Sequence, residues 1–282
     1  TGALPESAFF AFQMTFAIIT PALIVGAYVE RIKFSAVLLF SGLWLLLVYA
    51  PVCHWVWGGG WLADMKVMDF AGGLVVHATA GVSSLVIVAL LGRRDGFPKD
   101  LSPPHNPGMT MMGAGMLWVG WYGFNAGSAL AADAAAGSAL IATHLSAATA
   151  GLVWAGLERL KFKRASMIGL VTGVIAGLAT VTPASGFVGP VGGVILGAAG
   201  SLVCFQAVEL VKHRWRIDDS LDVFGIHGVG GIVGAVLTGV FAAPSLGGAG
   251  IYDYAAGGPG AFDMGHQVYV QALGAVICVI WS

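Results

Sequence analysis

The feature that most constrains this chain is a series of nine apolar runs separated by short polar breaks. Most runs have about 20 residues, the length that a helix needs to cross the hydrocarbon core of a bilayer. Charged residues make up only 10% of the chain, against roughly 25% in a soluble protein, so a water-soluble globule is excluded. The pattern predicts an all-α polytopic membrane protein with a single transmembrane domain over residues 1–282. We place the segments at residues 9–28, 34–56, 70–91, 108–127, 137–158, 166–184, 187–211, 222–243 and 265–282.

The basic residues are divided unequally between the two ends of the predicted segments. Of the 13 lysines and arginines, only Lys66 lies at the end that also holds residue 1. Because basic connections stay in the cytoplasm, this bias predicts that residue 1 is outside the cell, with a plasma membrane (the inner membrane in a bacterium) as the location. The net charge of −1 implies no nucleic-acid partner. The predicted cytoplasmic connections contain Arg31 and Lys33; Arg93, Arg94 and Lys99; Arg159, Lys161, Lys163 and Arg164; and Lys212, Arg214 and Arg216.

The two ends of the chain predict a fragment. Nothing before the first run has the pattern of a signal peptide. The last run stops at Trp281-Ser282 without a charged residue. We therefore expect a chain that is cut inside its last helix and also at its start.

No residue pattern indicates an enzyme or a cofactor. The three cysteines, Cys53, Cys204 and Cys278, lie in apolar runs without the pair spacing of a disulfide framework or a zinc site. The sequence contains no HExxH motif, no phosphate-binding loop and no Ser-His-Asp order. We predict a protein that is not an enzyme and that holds no metal or other cofactor.

One motif occurs twice, at the start of segments three and eight. Asp69 is followed by an aromatic residue, glycines and His77, and Asp222 by an aromatic residue, a glycine and His227. The two segments run in opposite directions, which is the pattern of an inverted repeat whose interface holds a transport site. At about 1.5 Å per residue, the two histidines meet only if a helix begins inside the membrane. The alternative is two separate histidines, each satisfied by a neighbouring helix.

Other polar residues and glycines have simpler interpretations. Asp69 and Asp222 each precede an apolar run, so we expect both to cap helices. A second role for Asp69 is to attract an entering cation. His144 has no counterpart and is interpreted as a helix-packing residue. The small-residue spacing of Gly169, Gly173 and Gly177 predicts tight packing, either between subunits or between helices of one subunit.

Aromatic residues cluster near the predicted outer ends of the segments. Phe12 and Phe16 share one helix face, Trp57 ends segment two, and Phe124 lies one turn before Ser128. Because Phe16 and Phe124 lie inside their segments, an interfacial aromatic belt does not explain them. Two alternatives remain, which are core packing and a cation–π binding site.

Five sequence blocks resemble the Amt/MEP ammonium transporter family, in the same order and over essentially the whole chain. One is Gly120-Trp-Tyr-Gly-Phe-Asn-Ala-Gly-Ser128, and another is the run from Asp69 through Gly92-Arg-Arg. The remaining blocks lie at residues 26–36, 54–60 and 222–231. The resemblance implies an ammonium-transporter fold with an inverted repeat, of which this chain carries about nine of eleven transmembrane helices. It also implies a homotrimer in the lipid bilayer with one pore in each subunit.

The resemblance also implies roles for individual residues. Phe16, Trp57 and Ser128 match the external site that recruits ammonium, and Phe16 and Phe124 match the stacked rings that close the pore mouth. His77 and His227 match the paired pore histidines of the proton relay, and Asp69 matches the carboxylate under the outer vestibule. Further matching positions, with less definite roles, are Phe12, Gln13, Tyr49, Trp121 and Thr182. In the family, a C-terminal tail that this chain lacks helps to dock a PII-type signal protein on the cytoplasmic face.

The function that this implies is an ammonium transporter or channel that deprotonates the ion and conducts ammonia. Three alternatives come with it. Rh-type neutral ammonia channels keep the paired histidines and phenylalanines but typically lack the Trp and Ser of the recruiting site, so Trp57 and Ser128 favour Amt. An ammonium sensor would carry additional cytoplasmic domains. A membrane metalloenzyme would need His77, His144 and His227 to converge on one metal.

Overall fold

The computed structural model describes residues 4–99, 104–253 and 258–282, and within these ranges the chain forms nine long helices. We number them α1 (Glu6–Val25), α2 (Phe34–Trp44, Leu45–Tyr49 and Ala50–Trp57 in succession), α3 (Gly73–Leu91), α4 (Pro107–Gly127), α5 (Ala134–Phe162), α6 (Met167–Val181), α7 (Pro190–Trp215), α8 (Phe224–Phe241) and α9 (Met264–Trp281). A short helix, Trp61–Asp64, follows α2. Two-residue strands, Tyr252–Asp253 and Gly258–Pro259, pair between α8 and α9.

The observed helices confirm the predicted all-α membrane architecture, with bounds that differ by a few residues. Seven helices are long and apolar enough to cross a membrane, whereas α4 and the 15-residue α6 are not among them. The largest differences are at α5, which begins three residues before and ends four residues after the predicted segment, and at α7, which begins three and ends four residues later than predicted. Four helices begin after a capping residue, whose side chain accepts a hydrogen bond from the backbone N–H three residues further along the chain. These residues are Asn106, Asp133, Ser166 and Asp263.

Small residues bring α5, α6 and α7 together. A side chain at Gly177 would collide with the Ser146 carbonyl of α5, and Ser146 Oγ donates to the Gly177 carbonyl at 2.8 Å. Gly173 packs in the same way against Trp154. The predicted glycine stripe therefore lies between helices of one chain, which is the second of the two alternatives that its spacing left open.

Helices α3 and α8 cross at glycines close to their first turns. A Cβ atom on Gly81 of α3 would lie 2.2 Å from the Gly228 backbone of α8, so Gly81 has no room for a side chain. A Cβ on Gly231 would stand 2.8 Å from that of His77. The crossing joins the two halves of the inverted repeat and brings the starts of both helices to the middle of the protein.

The chain before α3 runs through the interior of the protein. Met68 and Asp69 are buried, and a peptide there needs partners because no water is available. Gln271 of α9 supplies them, since its side chain accepts from the Met68 N–H at 2.6 Å and donates to the Met68 carbonyl at 2.7 Å. The Phe70 N–H donates to the Pro183 carbonyl at 3.0 Å. Helix α3 therefore begins inside the protein.

At the opposite end, Arg31 holds three connections together. Its guanidinium donates to the Gly92 carbonyl and to the Asp218 carbonyl, both at 2.6 Å, and to the carbonyl of Ala27. Arg94 adds an ion pair with the buried Asp218 carboxylate at 2.7 Å. We call this end, where the four basic connections lie, the basic end.

Candidate functional site

A cavity of about 620 Å³ opens at the end of the protein opposite the basic end. Residues of the first turns of α1, the end of α2 and the end of α4 line it. Six of its fourteen lining residues are phenylalanine, tyrosine or tryptophan, and the faces of such rings attract a cation. All three residues predicted for cation recruitment are part of this wall, together with other predicted site residues: Phe12, Gln13, Phe16, Tyr49, Trp57 and Ser128.

Aromatic rings form the floor of the cavity. Phe16 is 1% exposed, and its ring centroid lies 4.5 Å from that of Phe124 and 5.5 Å from that of Trp57. Phe12 contacts Phe16 edge to face at 5.0 Å. The Trp57 indole N–H donates to the Asp69 carbonyl at 2.7 Å, which orients the ring. Phe16 therefore connects the rings that line the cavity to Phe124, which lies outside the lining.

The two histidines lie together beneath this pair of rings. His77 stacks on Trp121 and Phe124 with ring centroids 5.4 and 6.0 Å away. Its Nδ1 lies 3.2 Å from the Nδ1 of His227, and both rings are buried. Trp121 is itself fixed, because its indole N–H donates to the Thr182 hydroxyl at 3.0 Å. The structure therefore brings together the predicted pore residues of four helices.

The Nδ1–Nδ1 contact restricts the protons that the pair can carry. A neutral imidazole has one N–H and one bare nitrogen, so only one of the two Nδ1 atoms bears a hydrogen when they share a bond. One outer Nε2 is then bare and the other is protonated. His77 Nε2 is buried and has no hydrogen-bond partner among the described residues. The pair can accept a proton at one end and release one at the other.

Both histidines lie in π-helical turns, a feature that the sequence analysis missed. The turn Gly73–Ala78 begins α3 and holds His77, and the turn Phe224–Gly228 begins α8 and holds His227. Such turns are rare and recur at functional sites. The sequence signal is weak, since it consists only of glycines beside each histidine.

Asp69 caps α3, as predicted. Its two oxygens accept backbone N–H bonds from Gly72, Gly73, Leu74 and Val75 at 2.6–3.1 Å. The carboxylate is 5% exposed. Four N–H groups that a helix start leaves unpaired are thereby satisfied by one side chain.

The prediction that Asp222 caps α8 is wrong. Its carboxylate pairs with Lys212 at 2.7 Å. The N–H of Phe224 is instead bonded by Asp219 Oδ2 at 2.8 Å. Asp219 lies eight residues before His227, the same spacing as Asp69 to His77, so Asp219 is the counterpart of Asp69. We missed it because the Asp-aromatic-Gly-His letters favoured the nearer aspartate.

His144 lies apart from the pair. Its Nδ1 is 2.7 Å from the Tyr122 hydroxyl, and its ring lies against Trp118 at 5.4 Å. Among the described residues, no three histidines, cysteines or carboxylates form a group that could hold a metal ion. His77, His144 and His227 therefore do not converge on one point in the described part of the chain.

Comparisons with known proteins give a consistent result. The sequence pattern of the Ammonium Transporter Family matches residues 1–282. The ammonium transporter of Aquifex aeolicus is 49% identical over 273 residues, which are 96% of this chain and 62% of that protein. The ammonium transporter of Bacillus subtilis is 49% identical over 248 residues, or 88% of this chain and 61% of that one.

Solved structures share the fold. Saccharomyces cerevisiae Mep2 superposes with a TM-score of 0.89 at 37% identity, over 99% of this chain and 64% of that one. A structure described as "Sensor Amt Protein" gives 0.87 at 30% identity, over 97% and 68%. This chain thus spans about three fifths of the length of the curated relatives that it matches. On the match over its whole length, the chain belongs to the ammonium transporter family.

Proposed function

We propose that the protein transports ammonium across a membrane by recruiting the ion in the aromatic cavity, removing a proton and conducting ammonia past the paired histidines. The observation that carries this proposal is the order of the groups from the cavity towards the interior of the protein. A cation-attracting cavity, a pair of closing rings and two bonded imidazoles follow one another between α1, α3, α4 and α8.

The recruiting step follows from the cost of dehydration. An ammonium ion that leaves water loses several kcal/mol of solvation. The rings of Phe16 and Trp57 offset part of that loss, because a desolvated cation–π contact is worth about 2 kcal/mol or more. Ser128 offers a hydroxyl oxygen at the cavity wall, since its own hydrogen is donated to the Phe124 carbonyl at 2.8 Å. An acceptor in that place suits the N–H groups of ammonium.

The deprotonation step follows from burial beyond the rings. Desolvation disfavours the charged form of an amine, so the ion releases its proton there. Ammonia, which is neutral, then passes along the imidazole edges and exchanges hydrogen bonds with them. The proton moves through the shared Nδ1 bond from His77 to His227. Potassium has no proton to release and is excluded by the same dehydration cost.

The surroundings of the pore are part of the same proposal. We propose that the basic end faces the cytoplasm of a cell bounded by this plasma membrane, because basic connections remain on that side. A homotrimer is proposed from family membership alone, and so is a PII-type partner on the cytoplasmic face. Transport is preferred over sensing, because the relatives at 49% identity are named transporters.

The test is the current of the full-length protein in proteoliposomes. An ammonium gradient is expected to drive a current, and an equal potassium gradient none. A matched variant, His144→Ala, alters a histidine outside the pore and should behave as the wild type. Equal currents with ammonium and potassium, or no uptake with ammonium, would contradict the proposal.

A further inference from the structure

A second cavity, of about 560 Å³, lies at the basic end between the last turns of α5 and α7. We call it the basic-end cavity. It is separate from the pore, because it shares no lining residue with the aromatic cavity and contains neither histidine of the pair. Lys161 of α5 lines it, together with Phe205, Gln206, Glu209, His213 and Arg214 of α7.

Lys161 is fixed at the wall of this cavity by two aromatic rings and one carboxylate. Its Nζ lies 5.2 Å from the ring centroid of Phe162 and 5.4 Å from that of Phe205. It also pairs with Glu209 Oε2 at 2.6 Å. His213 Nε2 lies 3.7 Å from the same oxygen. The cation–π contacts and the ion pair hold the ammonium group towards the cavity rather than free in solvent.

Arg214 brings a second cation to the cavity. It lies in the π-helical turn Leu210–Trp215 that ends α7, and it is exposed. In the part of the chain that the structure describes, no carboxylate forms an ion pair with its guanidinium. A guanidinium presents several N–H donors in one plane, which matches the oxygens of a phosphate. Arg214 is therefore available to an anionic ligand.

The charge of the surrounding segments favours such a ligand. Residues 157–164 and 205–216 contain seven lysines and arginines but only two glutamates. The retention of basic residues on the cytoplasmic side explains their number at this end. It does not require two of them to converge on a cavity with an aromatic wall. The convergence indicates a binding site for an anion.

The basic-end cavity also adjoins apolar surface. Helices α5 and α7 have 29 and 26 residues, or about 44 and 39 Å, against about 30 Å for the hydrocarbon core. Because charged side chains avoid that core, the last turns of both helices lie at the level of the lipid headgroups. Leu202, one turn before Gln206 on the same face of α7, is 42% exposed, and Leu160 beside Lys161 is 76% exposed.

We propose that the basic-end cavity binds the headgroup of an anionic phospholipid. Its phosphate contacts Lys161 and Arg214, and an acyl chain lies along the exposed apolar side chains of Leu160 and Leu202. A soluble phosphate would use the two cations but not the apolar surface that adjoins them. Lipid binding at this site is independent of the transport mechanism, because no group of the pore takes part in it.

The test is lipid retention by the purified full-length protein, measured by native mass spectrometry with dioleoylphosphatidic acid or dioleoylphosphatidylcholine. We expect tight binding of phosphatidic acid by the wild type. The double variant Lys161→Gln/Arg214→Gln should bind it about tenfold more weakly, because each basic side chain near a membrane surface attracts anionic lipid. Its binding of phosphatidylcholine should not change.

The matched control is Arg159→Gln/Arg164→Gln, which removes the same charge from the same end at positions outside the cavity lining. It should bind phosphatidic acid as the wild type does. If Lys161→Gln/Arg214→Gln does not fold, Arg214→Gln alone decides, since it leaves the Lys161–Glu209 pair intact. That variant should bind phosphatidic acid severalfold more weakly.

Four results would overturn the inference. One is wild-type affinity for phosphatidic acid in the cavity variant, and another is an equal loss in the control, which would indicate a diffuse surface charge. Displacement of the lipid by millimolar inorganic phosphate would assign the site to a soluble anion. A changed oligomeric mass without a change in lipid binding would assign this surface to a contact between copies of the chain.

Discussion

The starts of α3 and α8 share one local geometry but differ in the hydrogen bonds of their capping aspartates. Each places a buried aspartate eight residues before a histidine in a π-helical turn. Each also has a residue with positive φ three positions after the aspartate, Gly72 at 112° and Asp222 at 59°. Asp69 accepts four backbone N–H bonds, two on each oxygen, whereas Asp219 accepts the Phe224 N–H through Oδ2 and its Oδ1 lacks a clear hydrogen-bond partner among the described residues.

The difference teaches that an inverted repeat conserves geometry more strictly than function. Asp69 is saturated, so it holds the outer helix start rigidly and offers no site for a moving proton. Asp219 caps the start of α8 through the Phe224 N–H at 2.8 Å, so the second helix start is held by fewer hydrogen bonds than the first. The same turn therefore carries a fully bonded cap beside the aromatic cavity and a less fully bonded cap at the basic end.

Substitution of each aspartate by alanine should give the largest difference in stability between the two helix starts. Asp69→Ala leaves four buried N–H groups unpaired, and we expect a loss on the order of 4 kcal/mol in the free energy of unfolding. At pH 4, where Asp219 is protonated in the folded protein, Asp219→Ala removes one such bond and should cost about 1 kcal/mol. Thermal unfolding of the two variants in detergent measures the difference. Equal midpoints would show that the two caps are equivalent.

The pH dependence of stability sharpens the contrast. The pKa of Asp219 is raised by burial and by Asp222, from 3.8 to about 6. A raised carboxyl pKa means that its favourable contribution is present below pH 3.8 and is lost as the pH rises through about 6. Asp219→Asn should therefore be more stable than the wild type at pH 8, by on the order of 3 kcal/mol. Unfolding midpoints at pH 4 and pH 8 test this, and a variant less stable at pH 8 would contradict it.

Trp57→Leu probes the outer site alone. It removes a ring from Phe16 and the hydrogen bond to the Asp69 carbonyl. Ammonium affinity should fall about tenfold, in line with a cation–π contact of 1–2 kcal/mol, while the current at saturating ammonium changes little. Competition by methylammonium in proteoliposomes measures the affinity. A folded variant with unchanged affinity and selectivity would remove Trp57 from the site.

Trp121→Phe should have the smallest effect. It keeps an aromatic ring against His77 and removes only the hydrogen bond to Thr182. We expect a loss of about 1 kcal/mol in stability, with selectivity for ammonium over potassium retained. Unfolding midpoints and paired current measurements provide the comparison. A large loss of selectivity would mean that the indole N–H itself takes part in conduction.

The sequence predicted the nine helices, and most of the residues that it singled out for a site lie together in the structure, for physical reasons. Apolar runs of bilayer length are strong signals, and a histidine inside such a run has few roles that are not functional. It did not predict how the helix starts reach the interior. That depends on contacts distant in sequence, such as Gln271 with Met68 and Gly81 with Gly228. The sequence did not predict that Asp219 caps α8. Which aspartate caps the helix depends on the backbone turn at Asp222, and the amino-acid sequence alone does not specify that turn.

The measurement that tests the central claim most directly is the current of His77→Ala beside that of His144→Ala. The claim is that the proton leaves ammonium and moves through the bonded pair, so that the pore rejects ions without a proton. We expect His77→Ala to lose the ammonium-driven current or to admit potassium, while His144→Ala carries the wild-type, potassium-excluding current. A selective, wild-type current in folded His77→Ala would contradict the account.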